Sequence, residues 1–464
     1  MPTVFWTDAF FFLLLLMLAV MIGQIRRREH LRRPWRKVAR SRVAMVSLAI
    51  LLGYLSIAVL DSIHLYPSGN GEDSSLRYRT EPVSVLDLWA APLRTRVEKT
   101  YSRPFSAYAY AREHIRQPDG STRWDYPRLE FGAAHLADPD LEKGRDIAMS
   151  GLCGAAKGLV AGSLLALLIL GMIARVDRLS LRESARQVLS GGTVVPWRAV
   201  LLTMIGLAVA SGALAEWSQK YHVFGTDKVG EDVFYQALKS IRTGLLIGTL
   251  TTFVTLPLAL GLGIVAGYFR GIADDLIQYL YTTLNSIPGV LLIAAAILLT
   301  QVYMAKHEDE FTSLALRADL RLLFLCLILG ITSWTGLCRL LRAETLKLRE
   351  MEYVQAATAL GVRQPAILFR HILPNVFHLV LISVALDFSS LVLAEAVLAY
   401  VNIGVDPTTE SWGNMINSAR LELAREPPVW WSLAAAFLFM FALVLAANLF
   451  ADAVRDALDP RRAE

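Results

Sequence analysis

The chain has 464 residues, 55% of them hydrophobic and only 19% charged, with a net charge of +5. That is too apolar for one soluble domain and describes a polytopic membrane protein. The small positive excess is what basic cytoplasmic loops produce, so it needs no nucleic-acid partner.

A membrane helix takes about 20 mostly apolar residues. Nine segments satisfy that: 4–23, 43–60, 152–174, 198–215, 243–268, 277–303, 319–338, 376–398 and 429–450. The first resembles a signal peptide in length, but its leader "MPTVFWTD" has no Lys or Arg, so the basic n-region is missing. The cations follow it: Arg26, Arg27, Arg28, Arg32, Arg33, Arg36, Lys37, Arg40 and Arg42. This reads as an uncleaved span with its N-terminus outside and a basic cytoplasmic loop after it. Threading onward puts 61–151, with Ser121, outside. Residues 175–198, with Arg175, Arg178, Arg182, Arg186 and Arg198, fall inside. The 216–242 stretch falls outside, 339–375 inside, 399–428 outside, and the tail "RDALDPRRAE" inside. Each short loop assigned to the cytoplasm is basic except the turn at 269–276.

The outer segment 61–151 contains "KTYSRPFSAYAYAREHIRQPDGSTRWDYPRLEF", aromatic and of mixed charge. It is long enough for a small domain, though marginal alone. It could be a docking surface or lid near a substrate-delivering protein, or a structural cap or accessory anchor. In the next span, "GLCGAAKGLVAG" has glycines and Lys157, but not the spacing of a phosphate-binding loop, and no Ser or Thr follows the lysine. Cys153, Cys326 and Cys338 form neither a metal spacing nor a disulfide framework. His371 and His378 straddle a membrane boundary, and no metal site is expected.

Beyond 216, Asp227 can cap a helix start. Val233, Phe234, Ala237, Leu238 and Ile241 then share one face, as in an amphipathic helix at the outer interface. Gly263 and Gly267, four apart, allow close helix contact in the bilayer. Asp274 and Asp275 are placed to cap a helix at a cytoplasmic turn. Acids inside spans are expensive and read as functional by default. Asp387 and Glu395 are the candidates, as pathway lining or partner contact, or as satisfied interhelical hydrogen bonds.

Between the spans at 319–338 and 376–398, on the cytoplasmic side, lies "EYVQAATALGVRQPAILFRHILPN" (352–375). "EYVQAATAL" is rich in helix formers, and Gly361 ends that helix as a C-terminal glycine does, with an expected positive φ. "RQPAILFRHIL" begins a second short helix with Pro365 in its first turn, and Pro374 marks the entry to the next span. A helix-turn-helix protruding from a membrane bundle has one mechanical use: something in the cytoplasm grips and moves it.

The pattern "QAATALG……ILP" resembles the signature loop of importer permeases of the ATP-binding cassette class: Glu-Ala-Ala, three residues, Gly, then Ile and Leu-Pro. Ala356, Ala357, Gly361, Leu373 and Pro374 match, with Tyr353 beside them, and Gln355 replaces Glu. "HVFGTDKVGEDVFYQALKSIRTGLLIG" is similar to a segment of the dipeptide/oligopeptide/nickel permeases, specifically their C-type subunit. His222, Gly225, Thr226, Asp227, Gly230, Asp232, Arg242 and Gly248 agree, while Glu231 stands where Arg is usual and Val223 where Pro is. "GYFRGIADD", "SWTGLCRLLRAETL", "EAVLAYVNIGVDPTTESWGNM" and "NLFADAVRDALDP" extend the likeness over about 198–460.

The resemblance implies an all-α integral membrane protein, a type I importer permease core of six transmembrane helices preceded by about three extra ones. The expected organisation is 1–60 as two N-terminal spans with a basic loop, 61–151 as an extracytoplasmic segment, 152–197 as a third extra span with its basic loop, and 198–464 as the permease domain. The ATPase-coupling loop would be about 339–375. The implied role is a permease subunit in the bacterial inner membrane, passing di- or oligopeptides, or else nickel, peptide antibiotics or another small solute. It implies no cofactor in this chain. ATP-Mg would belong to two separate ATPase subunits, working with a second permease in a heterodimer and an extracytoplasmic substrate-binding protein. A membrane enzyme would need a convergent cluster of titratable groups in the spans, and only isolated acids are found. A structural or assembly protein would not need such a loop.

Overall fold

The computed structural model describes residues 2–3, 5–27, 29–65, 82–116, 122–307 and 313–458. Arg28, Ser121 and the last six residues of the tail lie outside the described residues. In chain order the helices are α1 (Trp6–Arg27), α2 (Glu29–Arg40), α3 (Arg42–Asp61), α4 (Val85–Trp89), α5 (Ala91–Thr95), α6 (Pro139–Asp177), α7 (Leu181–Ser190), α8 (Trp197–Ser218), α9 (Val233–Phe269), α10 (Gly271–Ser286), α11 (Gly289–Lys306), α12 (Leu314–Ser333), α13 (Thr335–Arg349), α14 (Glu352–Ala359), α15 (Gln364–Ile367), α16 (Leu373–Tyr400), α17 (Trp412–Glu422) and α18 (Trp431–Leu458). A π-turn, Leu368–Ile372, joins α15 to α16. Two-residue strands β1 (Pro2–Thr3), β2 (His64–Leu65) and β3 (Val83–Ser84) make one antiparallel sheet in that order. Strands β4 (Glu113–Arg116) and β5 (Thr122–Asp125) make a hairpin.

Among the described residues, eight helices are long and apolar enough to cross a membrane: α1, α3, α6, α8, α9, α11, the continuous Gln364–Tyr400 run, and α18. The expected span at 319–338 is helical as well. However, Arg317, Asp319 and Arg321 fall in the first turns of α12 and leave it less apolar than the eight. The expected span at 277–303 is divided. Pro288 forces Ile287 into an extended conformation, so α10 stops at Ser286 and α11 starts afresh at Gly289.

The chain forms two compact units. One comprises 1–3, 39–242 and 410–446; the other comprises 4–38, 243–409 and 447–464. In the first, α6 and α8 lie side by side. A Cβ on Gly154 would overlap the carbonyl of Gly212, and one on Gly158 that of Ala208, so small residues set the approach. Lys157, from the glycine-rich stretch, pairs with Glu216 of α8 at 2.6 Å. At about 1.5 Å per residue, the 39 residues of α6 reach roughly 58 Å, well beyond a bilayer core of about 30 Å. The excess lies at its N-terminal end, which starts at Pro139 within the segment expected to be extracytoplasmic.

In the second unit, Gly263 and Gly267 of α9 meet α13. A Cβ on Gly263 would sit 2.8 Å from the Cys338 carbonyl oxygen, and one on Gly267 would sit 2.6 Å from Thr345 Cβ. A core of Ala259, Ile264, Tyr268, Ile277, Tyr281, Trp334, Leu337 and Leu341 surrounds that contact. At the other end of α12, the buried Asp319 accepts from the backbone N–H of Thr7 at 3.3 Å and from the Thr7 hydroxyl. The buried acid is thereby satisfied.

Candidate functional site

The loop between α13 and α16 is built from its inner face outward. Val354 and Ala357 of α14, Ile367 of α15 and Ile372 of the π-turn are buried in the core just described. Gly361 has φ +73°, the left-handed conformation expected of it. Its N–H donates to the Thr358 carbonyl at 3.0 Å, and that of Val362 to Ala357 at 3.1 Å. Tyr353 is exposed, and its hydroxyl accepts from Asn375 Nδ2 at 3.1 Å. Gln355, in the position where Glu is usual, donates through Nε2 to the Glu350 carbonyl at 3.2 Å. Ala356 and Pro374 are exposed and Leu373 is half-buried.

The second helix of this loop is not separate from the span. α15, the π-turn and α16 run on as one helix from Gln364 to Tyr400. Pro374 has no N–H to give to the carbonyl four residues back, and the wide π-turn ahead of it absorbs that mismatch, the Leu373 N–H bonding instead to Leu368. Movement of the loop is therefore movement of the span. Its outward surface carries two large bare apolar side chains, Leu360 at 83% and Phe369 at 72% exposed, among exposed polar ones that include Glu352, Arg363 and Arg370. Asp274 does not cap a helix. It is buried and takes two hydrogen bonds from Arg342, at 2.5 and 2.7 Å, which hold its carboxyl below the usual carboxylate range.

The outer motif is a different kind of site. His222 Nδ1 lies 2.7 Å from Asp232 and its Nε2 lies 3.4 Å from Glu98, all three side chains being 5% exposed or less. Burial disfavours a charge on His222, but the two carboxylates outweigh it and push its pKa up to about 9. Asp232, not Asp227, caps α9, accepting from the N–H groups of Phe234 and Tyr235. Asp227 instead braces the turn before it, accepting from Val229 and Glu231. The Thr226 hydroxyl donates to the Thr100 carbonyl at 2.8 Å and accepts from the Ser102 N–H at 2.7 Å. Trp431 Nε1 donates to the Thr226 carbonyl at 2.9 Å. Gly225 and Gly230 have φ +70° and +84°, and side chains there would overlap the carbonyl oxygens of Ser102 and Glu98.

The amphipathic stretch that follows is not a surface helix. Val233, Phe234, Ala237, Leu238 and Ile241 are all buried, and they open the long α9 with no break. What reads as an interfacial face is a packed one, because Trp412 and Met415 of α17 cover it. Sequence reasoning missed Glu98, Thr100, Ser102 and Trp431. The first three lie more than a hundred residues from the motif, and no local pattern marks them. Asp387 and Glu395 lie about four and six turns along α16 from the loop. Glu395 is buried and Asp387 half-buried. Next to Asp387, Phe388 covers Gly248 of α9, and the Ser389 hydroxyl donates to Asn448 of α18 at 2.7 Å.

Residues 259–464 match the family of binding-protein-dependent transport system inner membrane components. The glutathione transport system permease protein of Pectobacterium atrosepticum is 31% identical over 250 residues, which is 53% of this chain and 75% of that protein. An oligopeptide transport system permease of Haemophilus influenzae is 30% identical over 52% of this chain and 71% of its own length. A dipeptide transport system permease of Lactococcus lactis is 29% identical over 52% and 65%. The chain belongs to the binding-protein-dependent transport system inner membrane components, and it is a multi-pass permease subunit of the inner membrane.

Proposed function

We propose that this permease passes di- or oligopeptides and is driven through the 339–375 loop by a separate cytoplasmic ATPase. The observation that carries the reading is the construction of that loop. Its inner face is fused into the helix core by Val354, Ala357, Ile367 and Ile372, its outer face presents Leu360 and Phe369 to solvent, and its second half is continuous with a span. Such an element transmits a push without dissipating it in a hinge. Two ATPase subunits closing on ATP would move this loop and its counterpart on a second permease, and the spans would alternate between inward- and outward-facing states. A binding protein would supply substrate from outside. Each state must make contacts the other lacks. The glutathione, oligopeptide and dipeptide permeases among the relatives support a peptide substrate. Asp387, near the middle of its span, is the candidate for lining the pathway.

The expected topology, N-terminus outside and C-terminus in the cytoplasm, needs α12 to cross as the ninth span. Two contacts support it. β1 pairs with β2, which directly follows the outer end of α3. Thr7 bonds to Asp319 at the end of α12 away from the loop. Uptake of labelled di- and oligopeptides into cells with and without this gene product, and with and without an intact partner ATPase, tests the reading. Peptide uptake lost in both cases supports it, and peptide uptake unchanged in either rejects it.

A further inference from the structure

We propose that Glu98 is a positioning residue for the outer motif, so that residues 82–116 and 122–138 are part of the permease's own outer face and not an appended cap. This rests on the reading that the 222–232 motif belongs to the transport machinery. Glu98 is the point at which three pieces of chain meet. Its carboxylate accepts from the N–H groups of Glu130, Phe131 and Gly132, each at 2.9 Å. The same carboxylate faces His222. Its backbone N–H donates to the Gly230 carbonyl at 2.9 Å, and its own carbonyl occupies the space a side chain on Gly230 would need. A side chain at Gly230 is excluded both by this backbone carbonyl and by its own φ of +84°. Asp232, on the other side of His222, holds the first turn of α9. Glu98, His222 and the Asp232 cap of α9 thus form one row of buried polar groups.

The hairpin of α6, α7 and α8 stands apart from this arrangement. The chain leaves the outer segment just after Ala133, whose N–H donates to the carbonyl of Lys220 at 2.9 Å, and it returns at that same Lys220. Ala133, Leu136 and Tyr221 share one small cluster. The hairpin thus departs and re-enters at a single place, and the two halves of the site, one holding Glu98 and the Glu130–Gly132 backbone and the other holding His222–Asp232, meet there. This explains how residues so far apart in sequence complete one motif.

The test uses the full chain in its assembled transporter. Glu98→Gln keeps the shape and removes the charge. At equal membrane levels, uptake per permease is expected to fall roughly tenfold or more, since breaking a buried ion pair leaves its partner uncompensated. The alkaline limb of the pH–uptake profile is expected to move down by about one unit as His222 loses a counter-charge. The groups facing His222 are Glu98 and Asp232, with Arg96, Lys220 and Tyr221 around the small cavity it borders. Glu98→Asp, which keeps the charge with a shorter reach, is expected to restore most of the uptake and the alkaline limb. If Glu98→Gln does not insert, Glu98→Asp carries the test alone, and loss of uptake there despite the retained charge, at normal membrane levels, overturns the proposal. A wild-type rate per molecule with an unchanged profile in Glu98→Gln also overturns it. His222→Gln separates the two levels. Wild-type uptake in that variant removes the role of the motif itself, whereas loss there with full uptake in Glu98→Gln removes only the role of Glu98.

Discussion

The two motifs are held in opposite ways. The outer one is polar and enclosed: a histidine between two carboxylates, a threonine hydroxyl bonded to Thr100 and Ser102, an indole on a carbonyl, all with little access to water. The 352–375 loop is half bare, anchored by four buried aliphatic side chains and projecting Leu360 and Phe369 among exposed polar residues. A buried polar network has one low-energy arrangement, because each group left unpaired is costly. An apolar contact tolerates sliding and can be made and broken against a partner. The contrast separates a fixed polar seat from the loop proposed as the handle.

The largest effect is expected at the seat. Gly230→Ala places a Cβ on the Glu98 carbonyl at φ +84°. Strain of about 1–3 kcal/mol comes from the backbone alone, and the overlap with a backbone oxygen adds to it. The variant should reach the membrane at much reduced levels, measured by immunoblot of purified membranes. A normal level would break the claim that the seat is rigid.

Next comes Ala357→Asp at the handle. A carboxylate enters an apolar cluster with Val354 and Ile367 around it, at a cost of several kcal/mol unless the helix lifts away. The spans carry their own packing, so α14 should come loose while the protein stays in the membrane, and co-purification with the ATPase should be lost. Gly361→Val is milder, about 1–3 kcal/mol of φ strain, because no atom lies within 4 Å of a Cβ there. It should weaken co-purification and uptake without lowering membrane levels. Gly361→Asn sharpens the point: Asn tolerates the left-handed region, so its uptake should stay near wild type.

The smallest effect is one of pH. The raised pKa of His222, about 9 against an ordinary 6.5, contributes stability fully present below pH 6.5 and lost as pH rises through 9. Burial raises the pKa of Glu98, but the nearby His222 ring and hydrogen bonds from the 130–132 backbone outweigh it and lower it from 4.5 to about 2. Its contribution is present above pH 4.5 and lost as pH falls toward 2. Protease protection of the outer segment in solubilised permease should therefore be greatest near pH 5–6 and decline toward 9. Protection of the coupling loop, whose core is apolar, should not follow that curve.

How much was legible in the sequence follows from the same contrast. The coupling loop is made of neighbours: helix formers, then Gly361, then Pro365, and its positive φ could be read from position alone. What could not be read was that Pro374 would sit inside a helix and not at its start, because a π-turn is a backbone adjustment with no side-chain signature. The spans were legible from apolar runs, apart from the break at Pro288 and the charged start of α12. The outer motif was legible as a motif but not as a site. Thr226 bonds to Thr100 and Ser102 across more than 120 residues, and nothing in "RVEKTYS" distinguishes Glu98 from any other surface acid. Asp227 seemed the helix cap because it precedes the apolar face, but the turn at Gly230 hands that role to Asp232.

The handle is tested most directly by changing only its bare face. Leu360→Asp with Phe369→Asp alters two exposed side chains and none of the buried anchors, so folding and membrane levels should be unchanged. The permease would be reconstituted in vesicles with its ATPase, second permease and binding protein, and ATP-dependent uptake of a labelled peptide measured. The expected result is uptake by the wild type with ATP and none without it, and loss of uptake and of substrate-stimulated ATP hydrolysis in the double variant. Uptake by the double variant at the wild-type rate would contradict the assignment of this loop as the element through which the transporter is driven.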